Sequence, residues 1–136
     1  MRPVRGEKLP LHAQQILRPY FPELNLARVR VRHGIPWYVL MDADAYTDRQ
    51  TIFFREGRFD PESLAGLSLI AHELTHCWQY DQLGTWRFRR RYVGAWLRGM
   101  VRTRSWVQAY LNIPFEIEAR QVEVAIYHDL MEQFPA

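Results

Sequence analysis

His72-Glu73-Leu74-Thr75-His76 spells H-E-x-x-H inside the apolar-flanked run from Leu67 to Trp78. Two histidines four apart on a helix project from one face, a turn apart. That spacing brings two imidazole nitrogens within reach of a single tetrahedral zinc ion. Glu73 points about 100° further round the helix, beside the metal rather than onto it. A carboxylate held there can take a proton from a zinc-activated water, the general-base role in metal-assisted peptide hydrolysis.

A catalytic zinc site normally has three protein ligands and an open position. The extended pattern H-E-x-x-H-x-x-G-x-x-H is not completed, because Gln79 and Gln82 occupy the glycine and third-histidine positions. A carboxylate from a later helix is the alternative, and Glu116 and Glu118 both lie near a helix start. Positions two apart differ by about 200° round a helix, so only one of the two can face the metal. A hydrolase also needs a donor for the developing oxyanion. Tyr110, just before the third-ligand segment, and Tyr46, on the strand side, are the candidates, and spacing alone does not choose between them. His12, His33 and His128 have no partner at helical spacing and are not assigned to the metal. The single cysteine, Cys77, excludes an internal disulfide and reads as a small buried apolar residue off the metal-facing side.

These residues need elements to hold them. Leu9 to Tyr20 carries a helical apolar stripe ended by Pro19 and Pro22. Residues 26–32 alternate apolar side chains and arginines, the pattern of a half-buried strand, and Val39-Leu40-Met41 extends or pairs with it. Thr51 to Phe54 is a second β-rich run, closed by the turn-like residues 55–58. Asp60-Pro61-Glu62-Ser63 starts the histidine helix, expected over about 61–82 with Gly84 as its stop. A second helix is expected over about 86–100, residues 101–111 are ambiguous, and Asn112-Ile113-Pro114 reads as the cap and first turn of a last helix over 115–134. Helix, short strands, then mostly helices is the order of a small α+β domain.

The 136 residues, 48% apolar and 24% charged, fit one ordinary globular domain, with the first eight residues expected to be mobile. No stretch approaches the roughly 18 apolar residues of a membrane span, and no signal-peptide core follows the basic N-terminus, so a cytoplasmic location is expected, with non-classical export as the alternative. Of 18 basic residues only Lys8 is lysine, and arginines gather at 87–104, yet the net charge is only +3. That segment mixes cations with aromatics without a recognised RNA- or DNA-binding motif, so a nucleic-acid partner is not expected. The five tryptophans are assigned mostly to the core.

The run Ala71 to Gln79 resembles the zinc-helix signature of gluzincin-type metallopeptidase-like domains of unknown function, similar to those of bacterial contractile-injection-system (eCIS core) proteins. Asp44 to Phe54 is similar to that family's strand before the helix, and Pro114-Phe115-Glu116-Ile117-Glu118-Ala119 resembles its later E-x-E-A element. The resemblance implies a minimal zincin-like domain: a short β-sheet packed on the zinc-binding helix, with further C-terminal helices. It favours Glu116 over Glu118 as third ligand, and it puts Arg120 where an acid that orients a ligand histidine is expected. Asp81 or Glu123 could take that orienting place, Glu123 lying two turns beyond Glu116 on the same face. Residues 51–54 are expected to hold an extended peptide by β-addition. The implied function is zinc-dependent hydrolysis of peptide bonds in a peptide or protein substrate, in connection with secretion- or phage-like machinery. The alternative is an inactive, zinc-stabilised interaction or assembly module on the same scaffold, because the chain is short and leaves little sequence for a separate substrate-binding lobe.

Overall fold

The computed structural model describes residues 6–39 and 43–135. Four short strands form one sheet: β1 (Glu7–Lys8), β2 (Arg30–His33), β3 (Ala45–Asp48) and β4 (Thr51–Phe54), in the order β1-β2-β4-β3. β3 and β4 make an antiparallel hairpin, with Thr47 opposite Ile52, and β4 runs parallel to β2, with Val31 opposite Ile52. Arg49, at φ 58, takes the left-handed conformation at the hairpin tip. The alternation seen in the sequence sends Val31, Ile52 and Phe54 into the core, while Arg30 and Arg32 stay half-exposed. Leu26–Arg28 is a single 3-10 turn rather than strand, because the Asn25 side chain accepts the Ala27 N–H and closes the chain locally. Glu7 and Lys8, assigned to a mobile start, instead pair with β2. Leu40 and Met41 lie outside the described residues, and Val39 is in no regular element.

Five helices follow the sheet's logic: α1 (Leu11–Leu17), α2 (Leu64–Leu83), α3 (Thr85–Thr103), α4 (Trp106–Leu111) and α5 (Pro114–Gln133). α2 starts at Ser63, whose hydroxyl accepts the Gly66 N–H. It stops at Gly84, which at φ 83 turns the chain directly into α3. Asn112, read as the cap of the last helix, instead bonds back to the Gln108 carbonyl at the end of α4. Ile113 precedes Pro114 at the first turn of α5, where a missing N–H costs nothing. α2 is nearly encircled. Leu67, Ile70, Ala71, Leu74 and Cys77 join Val31, Ile52 and Phe54 of the sheet, Leu17 of α1, and Ile126 and Leu130 of α5 in one core. Full burial of a Leu or Ile of this kind stabilises by about 1.5–3 kcal/mol. The tryptophans depart from the expectation: Trp37, in the turn after β2, is exposed, and so are Trp86 and Trp106, because α3 and α4 pack on each other and on α2 and α5 by only part of their surface.

Candidate metal centre

Because α2 is buried on most of its circumference, polar residues inside it must find partners, and its H-E-x-x-H residues do so. The Nε2 atoms of His72 and His76 lie 3.1 and 3.2 Å from the same oxygen, Oε1 of Glu116, on the first turn of α5. Glu116 is therefore brought to the histidines, and the three ligand atoms lie within 4.8 Å of one another. Among the described residues this is the one such group of three or more His, Cys, Asp or Glu side chains. A buried set of two imidazole nitrogens and one carboxylate oxygen fits a borderline-soft divalent cation.

The outward-facing atoms of the same three side chains are each tied to another residue. His72 Nδ1 is 2.8 Å from Glu123 Oε1, two turns along α5 from Glu116. His76 Nδ1 is 2.8 Å from Gln79 Oε1. Gln79 in turn donates from Nε2 to the Phe115 carbonyl at 3.1 Å and to Glu118 Oε1 at 2.8 Å. With two acceptors on its nitrogen, the Gln79 amide can present only its oxygen to His76, so Nδ1 carries the proton and the Nε2 lone pair points inward. Tyr92 on α3 donates to Glu116 Oε2 at 2.7 Å. Each inward atom is thus left for a cation while its other end is fixed.

Glu73 is buried beside this group but not in it, and its Oε2 accepts the Thr47 hydroxyl of β3 at 2.7 Å. Burial raises the Glu73 pKa above the usual carboxylate value, opposed by His76 and His72 and by the Thr47 hydrogen bond. Burial also disfavours a charged His72, but its hydrogen bonds to the Glu116 and Glu123 carboxylates outweigh that and carry the pKa up to about 10. Glu116 resists its own burial through both histidines and is held well below the usual range.

Beside the triad opens a cleft of about 330 Å³. Its walls are Tyr46 and Thr47 of β3, Tyr92 and Val93 of α3, and Tyr110 of α4, with Glu73, His76 and Glu116 at its base. Tyr110 and Tyr46 both reach it. Burial, then the Glu116 charge, raises the Tyr110 pKa, and burial raises that of Tyr46 to about 12, so both hydroxyls keep their protons.

Several sequence expectations resolve differently. Asp81 is not an orienter of the centre; it accepts from Gln50 on the far side of α2. Arg120, where an acid was expected, turns away and donates to the Leu111 carbonyl. Thr51 to Phe54 cannot add a peptide strand, because β4 is flanked by β2 and β3; β3 is the terminal strand, and it is β3 that lines the cleft. His12 and His33, not assigned to the metal from the sequence, pair with Glu62 and Glu7, and neither belongs to the triad. Sequence reasoning missed Gln79, Tyr92 and Thr47. Gln79 was legible as a polar residue one turn past His76 on a buried helix, whereas nothing local in the sequence marks Tyr92 or Thr47.

No curated protein and no solved structure matches the chain. The model of the eCIS core domain matches residues 8–84, a span that holds β2, β3, β4, His72, Glu73 and His76 and ends before α3. Glu116, the third member of the triad, lies beyond it. The match takes in more than half of the 136 residues, and the chain belongs to the eCIS core domain family.

Proposed function

We propose that this protein is a zinc-dependent, metallopeptidase-like hydrolase of peptide bonds on a minimal zincin-like scaffold. The observation that carries the reading is the convergence of His72 Nε2, His76 Nε2 and Glu116 Oε1 while the outer atoms of all three are tethered. His72, His76 and Glu116 hold the ion, and Gln79 and Glu123 keep the imidazoles in the ligating tautomer. A bound zinc supplies Lewis-acid activation of water and of the scissile carbonyl. Glu73, aimed by Thr47, takes the proton from the attacking water and delivers it to the leaving amine, a step its raised pKa suits. β3 offers an edge to which an extended peptide can hydrogen-bond; among the described residues no strand pairs with its outer side. Tyr110, protonated in the cleft wall, donates to the developing oxyanion.

A second reading keeps the ion and drops the turnover. The triad joins α2 to α5, so an ion there would staple the core, and eCIS core membership fits an assembly role in contractile-injection-type machinery. Incubating zinc-loaded wild type and Glu73→Gln with a broad peptide library separates the two. The hydrolase reading expects cleavage by the wild type, reduced by about 10²–10⁴-fold in Glu73→Gln with zinc retained. Equal inertness of both forms removes the hydrolase reading and leaves the staple.

A further inference from the structure

The solvent face of α3 has no part in the metal centre, yet its residues are strongly patterned. Thr85–Thr103 holds six arginines, at 87, 89, 90, 91, 98 and 102, and no acidic residue. Among the described residues only Arg89 of these forms an ion pair, with Asp48. At about 100° per residue, Val93, Trp86, Leu97 and Val101 fall in one stripe roughly 80° wide, interrupted only by Arg90. Arg87, Arg98, Arg91 and Arg102 form a second stripe beside it, roughly 60° wide. The apolar stripe stands in water: Trp86 is 80% and Val101 82% exposed, and Val93 and Leu97 are exposed too. Trp96, whose ring meets that of Trp106 edge-on at 5.1 Å, links the helix to the exposed Trp106 and Val107 of α4.

We infer that α3 docks on an anionic lipid bilayer surface. Its apolar stripe would sit at the boundary of headgroups and acyl chains, with the neighbouring arginines at the level of the lipid phosphates. Charge complementarity argues for this occupant, since arginines without an ion-pair partner among the described residues flank the stripe and α3 itself carries no acid. Shape argues the same way. The face is a convex ridge spanning about 22 Å from Trp86 to Val101, and a bilayer accepts a ridge without a matching groove. A nucleic acid would satisfy the arginines but leave Val93, Leu97 and Val101 uncovered, because aliphatic side chains offer no stacking surface to bases. Arg89, Tyr92 and Val93 of the same helix line the cleft, so docking brings the cleft mouth to the lipid surface. The inference stands whether or not the centre turns over a substrate.

The test is partition of the full, zinc-loaded chain onto vesicles of phosphatidylcholine alone and of phosphatidylcholine mixed with phosphatidylglycerol, read by co-sedimentation and tryptophan fluorescence. Binding is expected only with the mixed vesicles, weakening with salt and accompanied by a blue shift. The neutral pair Leu97→Ser/Val101→Ser should weaken it on the order of tenfold, and Arg98→Gln and Arg102→Gln about fivefold each. Circular dichroism and zinc content should stay at wild-type values in all of these variants. Failure to bind mixed vesicles at low salt overturns the inference. So does unchanged binding of Leu97→Ser/Val101→Ser, which would reduce it to charge adsorption. A wild-type dimer split by the same pair would assign the face to a second copy, and displacement from vesicles by a single-stranded oligonucleotide would assign it to nucleic acid.

Discussion

The imidazole of His76 can offer a lone pair to a cation only while its proton sits on Nδ1, and Gln79 holds it there because Phe115 and Glu118 claim the amide nitrogen. Gln79→Leu should therefore lower zinc affinity by about 10–100-fold without touching a ligand, measured by competition with a chromophoric chelator. Glu123→Gln still accepts from His72 Nδ1 and should cost less than Glu123→Ala. Thr47 carries a prediction of different kind. Its hydrogen bond lowers the Glu73 pKa against the upward push of burial. In the proposed hydrolysis Glu73 must be ionised, so activity should fall as pH drops through that pKa. Thr47→Val removes the opposing bond, the pKa rises, and the acidic limb of the pH–rate profile should move to higher pH; an unmoved limb would detach Glu73 from the proton transfer. His72, His76 and the carboxylate beside them were legible in the sequence because helical geometry relates positions four apart. Thr47 and Tyr92 were not, since their contacts with Glu73 and Glu116 cross 26 and 24 residues and depend on tertiary packing.

At the scale of elements, the sequence revealed α2 and its stops most clearly, because Ser63 and Gly84 mark its ends with side-chain and backbone chemistry that acts locally. Gly66 in its first turn faces the Asp60 carbonyl so closely that an added Cβ would lie 1.7 Å from the oxygen. Gly66→Ala should accordingly destabilise the fold by about 3 kcal/mol, seen as a lower midpoint in urea with the slope unchanged. The sheet was harder to read. A strand's period of two identifies which side chains face inward, but not which strand lies at the edge. The parallel pairing of β2 with β4 is what encloses β4 and hands the edge to β3. The exposed tryptophans of α3 and α4 were hidden for a related reason: apolar residues at helical spacing specify a face, while the neighbours that do or do not cover it are set elsewhere in the chain.

For the whole molecule, one core threads the sheet, α1, α2 and α5, and the triad bridges α2 and α5 from within it. An ion that binds only the folded chain adds stability by mass action, about 4 kcal/mol at a thousandfold excess over its dissociation constant. Chelation should then lower the thermal midpoint by roughly 10 °C, and added zinc should restore it. Proton and cation compete for the same imidazole nitrogens, so zinc affinity should weaken as pH falls. All of this rests on the three converging side chains holding an ion. The most direct measurement is the metal content of purified protein by inductively coupled plasma mass spectrometry after equilibration with limiting zinc and gel filtration. About one zinc per chain in the wild type, and almost none in His72→Ala/His76→Ala, is the expected result. Wild-type protein that retains no more zinc than the double variant would contradict it.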